Sequence, residues 1–371
     1  MNRINVTYDR EIFLIQKYGG VSKYFSNLIS KFSNDSSFGI KPHMTFDRTD
    51  NYHLKKTFSV FKPQRKFLQA NTGWSTLSTL GPVREYSSHW AGGKCKREPS
   101  EIFHATYYRP TNTEMKYGKR LVVSVHDFIP EKLGWNGVRN PHIGKEKLVR
   151  KSDLVICVSN ATASDLMKFY GISNSKIRVI HHGVDLVETA AVKSVPSRPS
   201  ILYVGNRGGY KNFEVLVEAM KRAKELNIDL QLITAGSPLS KLEVLGNREL
   251  IEGNHWIHSD YPSESELGML YSNSTLHCVT SKMEGFGMTI LESMAHATPV
   301  VVSDIDVFRE VGGEAACYFD PNSSENLLEK ILWALGDNTY KSLSNRVLKY
   351  AELNTWDKAA QLHAAAYKSI V

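Results

Sequence analysis

The sequence alternates short apolar runs with segments of helical periodicity, and this alternation restricts the fold class. Ile4–Tyr8 predicts a first strand, and the apolar residues of the next segment share one helix face: Val21, Tyr24, Phe25, Leu28, Ile29 and Phe32. Strands that alternate with helices form parallel sheets covered by helices. The pattern therefore predicts an α/β protein.

The alternation occurs in two blocks, separated by Val195–Pro199, which contains two prolines and is predicted as a linker. A helix is predicted over Asn160–Tyr170, with Asn160 as N-cap and Gly171 after its end. We expect two units, residues 1–190 and 200–350, with a ligand cleft between them at the carboxyl ends of the strands. The other predicted strands are Ile102–Ala105, Leu121–Val125, Leu154–Val158, Ile177–Ile180, Ile201–Val204, Leu230–Thr234, Thr275–Val279 and Pro299–Val302, and Ala315–Phe319 is a further strand-like run.

Composition excludes several classes of protein. The 371 residues suit two or three domains. No stretch approaches the roughly 20 apolar residues of a membrane span, and the first residues lack the apolar core of a signal peptide. The four cysteines are far apart, which disfavours a disulfide scaffold or a metal cluster. These features predict a cytoplasmic protein.

The charge is unevenly distributed. Residues 1–190 hold 29 Lys and Arg against 16 Asp and Glu, whereas residues 191–371 hold 17 against 22. Residues 51–100 alone hold nine basic and two acidic residues, interleaved with aromatic side chains. Such a segment attracts phosphates, anionic lipid or nucleic acid, or it is simply a solvated basic face.

The strongest local motif is the run from Glu284 to Glu292, which follows a predicted strand and leads into a helix. Gly285 and Gly287 allow the backbone to approach a ligand closely, and the N–H groups of residues 287–289 would point out of the helix start. Such a helix start suits an anionic group. The two carboxylates can accept hydrogen bonds from sugar and ribose hydroxyls. The alternative is a tight turn with surface glutamates.

Three further loops follow predicted strands. Gly205 opens a glycine-rich loop in which Arg207 and Lys211 would bring two cations over the same cleft edge, beside a departing diphosphate. Gly19 and Gly20 precede the first predicted helix and would allow a close approach of a ligand. His126 and Asp127 directly follow a strand, which places His126 at the edge where ligands bind, while Asp127 could be a helix cap or turn residue.

Together these motifs resemble glycosyltransferase family 4, whose members have the GT-B fold of two Rossmann-like domains facing each other across a deep cleft. The Glu-Gly-Phe-Gly run that ends at Glu292 matches the E-x7-E element of this family. Ile177–Asp185, Ser159–Leu166 and Ser303–Val311 also resemble family segments, and Trp356 begins a final helix, about 355–371, of the kind that packs back on the first domain. Residues 40–100 have no matching segment.

The resemblance implies a role for each site residue. Glu284 would bind hydroxyls of the transferred sugar, Glu292 the ribose, and His126 would lie beside the sugar. Arg207 and Lys211 would neutralise the donor diphosphate. His126, Glu284, Arg207 and Lys211 are thus the catalytic candidates, and the remaining donor-binding candidates are Gly20, Gly205, Gly285, Phe286, Gly287, Met288, Thr289 and Glu292. Family members retain the anomeric configuration and need no metal, so no cofactor is expected.

One departure concerns Asn206, which stands where many family members have the arginine. A subset with the same offset contains mannosyltransferases that use GDP-mannose, which favours that donor. The sequence therefore predicts a retaining, metal-independent hexosyltransferase with a saccharide or lipid-linked saccharide acceptor, acting in polysaccharide, lipopolysaccharide or lipid-linked glycan synthesis. Attachment to the inner face of the membrane through residues 51–100 is a further expectation, and no nucleic-acid partner is expected.

Two other functions remain open at this point. The first is a nucleotide-sugar epimerase of the same architecture, and the second is a non-catalytic binder of membrane or nucleic acid. Asp304-Ile305-Asp306 spells the D-x-D of metal-dependent transferases, but it follows a buried strand in a segment that matches the metal-free family. The histidine pairs His181-His182 and His255/His258 are interpreted as structural.

Overall fold

The computed structural model describes residues 3–59, 61–63, 99–110, 115–137, 140–188 and 194–371. The chain forms two compact units: Met1–His182 together with Trp356–Val371, and Gly183–Thr355. The segment predicted as a linker, Val195–Pro199, therefore lies inside the second unit. Val195 packs against the core of that unit, which explains why the proline-rich run does not mark the boundary.

The first unit contains a sheet of six described strands, all parallel, in the order β2-β1-β3-β4-β5-β6. Strand β2 was not predicted from the sequence because Pro42 interrupts it. A proline is tolerated there because β2 is at the edge of the sheet. The strands are β1 (Ile4–Tyr8), β2 (Ile40–Met44), β3 (Ser100–Ala105), β4 (Gly118–Val125), β5 (Leu154–Cys157) and β6 (Ile177–Val179).

Helices separate most of the successive strands of this unit along the chain. The N-cap of the predicted Asn160 helix is one residue earlier than expected, since the Ser159 hydroxyl accepts a hydrogen bond from the Thr162 N–H at 3.0 Å. The helices are α1 (Glu11–Ile15), α2 (Gly20–Asn34), α3 (Tyr52–Thr57), α4 (Ile129–Lys132), α5 (Lys145–Lys151) and α6 (Asn160–Tyr170).

The second unit has its own parallel sheet, in the order β12-β11-β10-β7-β8-β9. This order is that of a dinucleotide-binding Rossmann sheet, in which the direction of winding reverses beside the first strand. The reversal lies between β7 and β10. The strands are β7 (Ser200–Val204), β8 (Gln231–Gly236), β9 (Trp256–Asp260), β10 (Leu276–Val279), β11 (Val300–Ser303) and β12 (Cys317–Phe319).

Helices again connect these strands, and the predicted α/β class with two Rossmann-like units is confirmed. Leu216, Met220 and Leu327 are among the buried side chains that cover the sheet of the second unit. The helices are α7 (Phe213–Glu225), α8 (Lys241–Gly246), α9 (Arg248–Glu252), α10 (Glu264–Asn273), α11 (Met288–Ala295), α12 (Asp306–Gly312), α13 (Ser324–Ala334) and α14 (Asp337–Glu352).

A last helix, α15 (Trp356–Lys368), belongs to the first unit and packs against α2. It inserts two polar side chains into the core. The Tyr367 hydroxyl lies 3.1 Å from that of Tyr8 and 2.7 Å from Nδ1 of His104. Nε2 of His363 lies 2.5 Å from the Tyr24 hydroxyl. Because buried polar groups need partners, these bonds set the position of α15 on the sheet.

Candidate functional site

The reversal of strand order marks the expected ligand site of the second unit. In open α/β sheets, ligands bind outside the carboxyl ends of the two strands where the winding reverses. Here these strands are β7 and β10. The loop after β7 carries Lys211, and the loop after β10 carries Glu284. The two strongest motifs of the second unit thus meet at the position that the topology favours for a ligand.

Lys211 and Glu284 form an ion pair at this position. The Nζ atom of Lys211 lies 2.5 Å from Oε1 of Glu284, and the same oxygen accepts a hydrogen bond from the Ser281 hydroxyl at 2.8 Å. Both side chains are partly exposed, at 23% for Lys211 and 14% for Glu284. A cation and a carboxylate are therefore held side by side and remain accessible to a ligand.

The two loops are also joined through their backbones. The Lys282 N–H donates to the Tyr210 carbonyl at 2.8 Å, and the Thr280 hydroxyl donates to the Lys211 carbonyl at 2.9 Å. Asn212, which follows Lys211, adopts a left-handed conformation with φ of 53°. These bonds keep Lys211 in place, which is what a site needs if its charge is to be fixed before the ligand arrives.

Helix α11 begins at Met288, directly after the glycines of the Glu284 motif. Gly287 has a φ of +100°, and a Cβ atom there would lie 2.9 Å from the Phe308 ring, so both conformation and space require glycine. Phe286 is buried and fixes the turn in the core. The helix thus starts four residues after Glu284, and the dipole at its start favours an anion.

Glu292 lies on the same helix and is held differently from Glu284. Its Oε2 atom accepts a hydrogen bond from the hydroxyl of Tyr271 at 3.0 Å. Tyr271 is buried, and burial, together with the negative charge of Glu292, raises its pKa far above the ordinary value. The tyrosine therefore stays protonated and keeps donating to Glu292.

Arg207 has polar partners other than the Lys211–Glu284 pair. Its Nε atom donates to Oε1 of Glu243 at 2.5 Å, and Nη2 donates to the Pro238 carbonyl at 3.0 Å. Glu243 and Pro238 follow β8, on the side of β7 opposite to β10. The two cations expected over one edge thus have different carboxylate partners. Among the residues that the structure describes, Nη1 of Arg207 is buried without a hydrogen-bond partner.

Glu243 is a site residue that sequence reasoning missed. The hydrogen bond from Arg207 is the main reason why its pKa is lowered to about 2. Glu243 also closes a capping box with Ser240, whose N–H it accepts at 2.7 Å. The spacing of Ser240 and Glu243 is the signal that was available in the sequence, since it is the spacing of a capping box.

We expect Glu243→Gln to lower the free energy of unfolding of the second unit by about 1–3 kcal/mol, because a largely buried guanidinium then loses its charged partner. The measurement is urea unfolding at pH 7. Glu249→Gln is the matched control, since Glu249 is 89% exposed in its pair with Lys224 and should cost less than about 0.5 kcal/mol. Equal effects of the two substitutions would contradict the role given to Glu243.

In the first unit, the winding reverses between β1 and β3. Buried carboxylates join the loops after these strands. Asp9 accepts the Thr106 N–H at 2.9 Å, and Glu11 accepts the Arg109 N–H at 2.6 Å. Gly20 begins α2 a few residues further along the chain, where the Gln16 side chain accepts the Ser22 N–H at 3.1 Å. Gly20 thus opens the second helix after β1, at a helix start that Gln16 partly caps.

His126 follows β4 directly and is buried against aromatic rings. Its ring is 5.2 Å from that of Tyr24 and 6.0 Å from that of His182, measured between centroids. Within the described part of the chain, Nε2 of His126 has no hydrogen-bond partner. Burial, and then the neighbouring charges of His142 and Lys145, lower its pKa to about 3. The ring is therefore neutral at pH 7.

Asp127 is a turn residue, which was one of the two interpretations, because its Oδ1 atom accepts a hydrogen bond from the Ile129 N–H at 2.9 Å.

The first aspartate of the D-x-D sequence has a partner nearby in the chain. Asp304 pairs with Arg309 through two contacts of 2.6 Å. His258 lies between Thr234 and Asp260, at 2.7 and 3.0 Å.

The predicted membrane attachment concerns a segment that lies mostly outside the described residues. Of the basic segment 51–100, residue 60 and residues 64–98 lie outside the described residues, so membrane attachment through this segment stays a prediction. In the described ranges, no helix is long and apolar enough to cross a membrane. The same ranges contain no group of three His, Cys, Asp or Glu side chains placed to hold a metal ion.

Comparison with known proteins gives two family matches that meet at residue 188. Residues 188–353 match the family described as "Glycosyl transferases group 1", and residues 74–188 match "Glycosyltransferase Family 4". Together they include the motifs around His126, Lys211 and Glu284.

Two curated relatives and one solved structure illustrate the similarity. O-antigen chain mannosyltransferase B of Escherichia coli is 25% identical over 72% of this chain and 74% of its own length. O-antigen chain mannosyltransferase RfbU of Salmonella typhimurium is 28% identical over 48% of this chain, which spans only half of that relative. The structure of Anabaena Alr3699/HepE in complex with UDP and glucose aligns over 99% of this chain and 100% of its own, with a TM-score of 0.69 and 15% identity.

Proposed function

Because the chain belongs to glycosyltransferase family 4 and has its GT-B fold, we propose that it is a retaining hexosyltransferase that uses a nucleoside diphosphate sugar. The observation that carries this proposal is the Lys211–Glu284 pair at the reversal of strand order, next to the start of α11. These groups offer what such a donor requires: a cation and the N–H groups of a helix start for its diphosphate, and a carboxylate for sugar hydroxyls.

The chemistry depends on charge that develops as the sugar–phosphate bond breaks. Negative charge accumulates on the departing diphosphate, and Lys211 together with the first N–H groups of α11 would stabilise it. The leaving phosphate oxygen then accepts the proton of the acceptor hydroxyl, which attacks from the same face of the sugar. Glu284 would hold the sugar hydroxyls, and Glu292, oriented by Tyr271, would hold the ribose.

The role of His126 is assigned by the resemblance alone: it would interact with the transferred sugar. Its low pKa supports a neutral imidazole, which can accept or donate one hydrogen bond without adding positive charge. Arg207 is retained as a cation for the diphosphate, supported by its buried Nη1 atom, which has no partner in the described structure. No divalent metal is required in this mechanism.

We further propose mannose from GDP-mannose as the transferred group. The support is that both curated relatives named above are O-antigen chain mannosyltransferases. The acceptor would be a carbohydrate hydroxyl of a surface polysaccharide or of a lipid-linked glycan. UDP-glucose is the comparison donor, because the Anabaena structure contains UDP and glucose.

The test combines binding and transfer. A thermal-shift panel of GDP, UDP, ADP and dTDP with their sugars should show the largest stabilisation for GDP-mannose, about 2.7 kcal/mol at 100 times its dissociation constant. Transfer from the same donors to mannose-terminated acceptors is then followed with excess EDTA present, and NMR identifies the anomer of the product. We expect an α-linked mannoside at an unchanged rate in EDTA.

Three results would contradict these statements separately. A β-linked product excludes retention, and loss of activity in EDTA that Mg²⁺ restores excludes metal independence. Release of free sugar or formation of an epimer without acceptor, at rates that match transfer, would favour the epimerase instead. Transfer from another nucleotide sugar in preference to GDP-mannose would correct only the donor.

A further inference from the structure

A fully buried lysine lies directly behind the turn that carries His126. Lys145 is the first residue of α5, and its side chain is 0% exposed. Around it lie Asp127, Glu131, His142 and Tyr170, and we call these five residues the Lys145 cluster. None of them was among the sequence candidates except Asp127. Lysine is almost never fully buried unless it is paired, so its presence here needs a reason.

The ammonium group of Lys145 has three polar neighbours. Nζ lies 2.8 Å from the Asp127 carbonyl oxygen, 2.8 Å from Oε1 of Glu131 and 2.9 Å from Nδ1 of His142. It also lies 3.7 Å from the centre of the Phe128 ring. A lysine has three donors and no acceptor. Nδ1 of His142 can either accept from Lys145 or donate to Glu131, so the lasting partners of the ammonium group are the Asp127 carbonyl and Glu131.

The carboxylate of Glu131 is satisfied as well. It accepts from the Tyr170 hydroxyl at 2.8 Å and lies 3.0 Å from Nδ1 of His142. Burial alone would raise the pKa of Glu131, but the hydrogen bonds from His142 and Lys145 lower it to about 2. The cluster therefore holds a stable negative charge against the ammonium group, which explains how Lys145 tolerates its burial.

Packing alone does not require this arrangement. Replacing a whole buried ion pair by apolar side chains of similar volume is often neutral or stabilising, so the core could be filled without the Lys145–Glu131 pair. What an apolar residue cannot do is donate to the Asp127 carbonyl. That bond, with the Asp127 side chain on the Ile129 N–H at 2.9 Å, fixes both ends of the turn after His126.

The other side of His126 is fixed by a residue that also contacts the cluster. The His126 N–H donates to the Tyr108 hydroxyl at 3.2 Å, and the Tyr108 ring centre lies 5.4 Å from Nζ of Lys145. The backbone before and after the His126 side chain is thus held by groups that surround one ammonium ion. Movement of Lys145 would change the direction of the imidazole.

We propose that Lys145 is a positioning residue, which orients His126 for sugar transfer by holding the Asp127 carbonyl. This inference rests on the proposed function, and it deepens it by assigning a residue that never touches the substrate. Because Lys145 acts on His126 in the first unit and the diphosphate is assigned to the second, its loss should change the rate of transfer and leave nucleotide binding unaffected.

The test compares Lys145→Met with Lys147→Met. Lys147 is exposed on the same helix, so its substitution removes the same charge from α5 without touching the cluster. We expect Lys145→Met to lower kcat about 10–100-fold, with KM for the donor and Kd for GDP within twofold of the parent protein, and Lys147→Met to match the parent throughout.

A second readout does not depend on activity. The His126 Cε1–H resonance, identified by its absence in His126→Asn, should shift in Lys145→Met and not in Lys147→Met. If Lys145→Met does not fold, Glu131→Gln replaces it, with kcat expected to fall at least threefold at unchanged Kd for GDP.

The outcomes separate this inference from the proposed function. If the parent protein transfers sugar and folded Lys145→Met transfers it equally fast, the inference is wrong while the function stands. Parallel loss of GDP binding and activity also overturns it, since the lysine would then support the whole fold. A parent protein that is inactive with every donor refutes the proposed function, and the His126 resonance still decides whether Lys145 orients the ring.

Discussion

Replacing Lys211 with alanine is expected to lower kcat/KM for sugar transfer by about 10²–10³-fold, mostly through kcat. Lys211 is proposed to stabilise charge that exists fully only as the diphosphate departs, so its removal affects the transition state more than the bound donor. The substitution also leaves Glu284 without the cation that lies 2.5 Å away. Initial rates over a range of donor concentrations separate kcat from KM.

Lys282→Ala is the matched control for this experiment. Lys282 is exposed in the loop after β10, and only its backbone N–H joins the two loops, so the alanine variant keeps that bond. We expect its kcat/KM to stay within about twofold of the parent protein. A Lys211→Ala protein that transfers sugar as fast as Lys282→Ala would remove the leaving-group role assigned to Lys211.

The first unit is expected to unfold at mildly acidic pH, before the second unit. Burial lowers the pKa of four of its histidines, which are His104, His126, His182 and His363. In the unfolded chain these histidines bind protons near pH 6.5. In the folded unit they bind protons only at lower pH, and the pKa of His126 is about 3. Their neutral, buried form therefore favours folding above about pH 6.5, and this stability is lost as the pH falls.

The expected effect is large because the four groups add together. Each contributes up to about 1.4 kcal/mol per pH unit below pH 6.5, and native domains are stable by only about 5–15 kcal/mol. We expect the urea midpoint of the first unit to fall steeply between pH 7 and pH 5. The measurement is urea unfolding followed by circular dichroism, with proton uptake measured by calorimetry in two buffers.

His277→Phe provides the control in the second unit. His277 is fully buried, burial lowers its pKa to about 3, and neither ring nitrogen has a hydrogen-bond partner in the described parts of the chain. Phenylalanine should keep the ring contact with Tyr271. It should lower by one the number of protons that the second unit takes up when it unfolds in acid, without changing the first unit. Urea midpoints of the first unit that agree at pH 7 and pH 5 would contradict the prediction.

Local pattern was enough to find most of the central strands, because a buried parallel strand is a continuous apolar run. Ile4–Tyr8 was predicted at its observed bounds, and the other predicted strands agree to within two residues at either end, except that β4 begins three residues earlier than predicted. Strands β2 and β9 were missed because each lies at an edge of its sheet, where partial exposure and, in β2, Pro42 weaken the apolar signal.

The loops of the site were predictable from the sequence, but the ion-pair partners of their residues were not. Glycines and charges after strands identified the loops of Lys211, Glu284 and His126, because parallel sheets place such loops at one edge. The partner of Arg207, however, is Glu243, 36 residues further along the chain. Such a pairing depends on how the loops after β7 and β8 come together, and local sequence does not specify that. Lys145 was missed for the same reason.

The return of α15 to the first unit has a consequence for the order in which the chain folds during synthesis. The bond between the Tyr8 and Tyr367 hydroxyls joins residues 359 positions apart, across the whole of the second unit. Residues 183–355 can fold as soon as the ribosome releases them, whereas the first unit waits with part of its core uncovered. We therefore expect a chain truncated before Trp356 to keep a native second unit and to expose the Tyr24 side of the first to aggregation or chaperone capture.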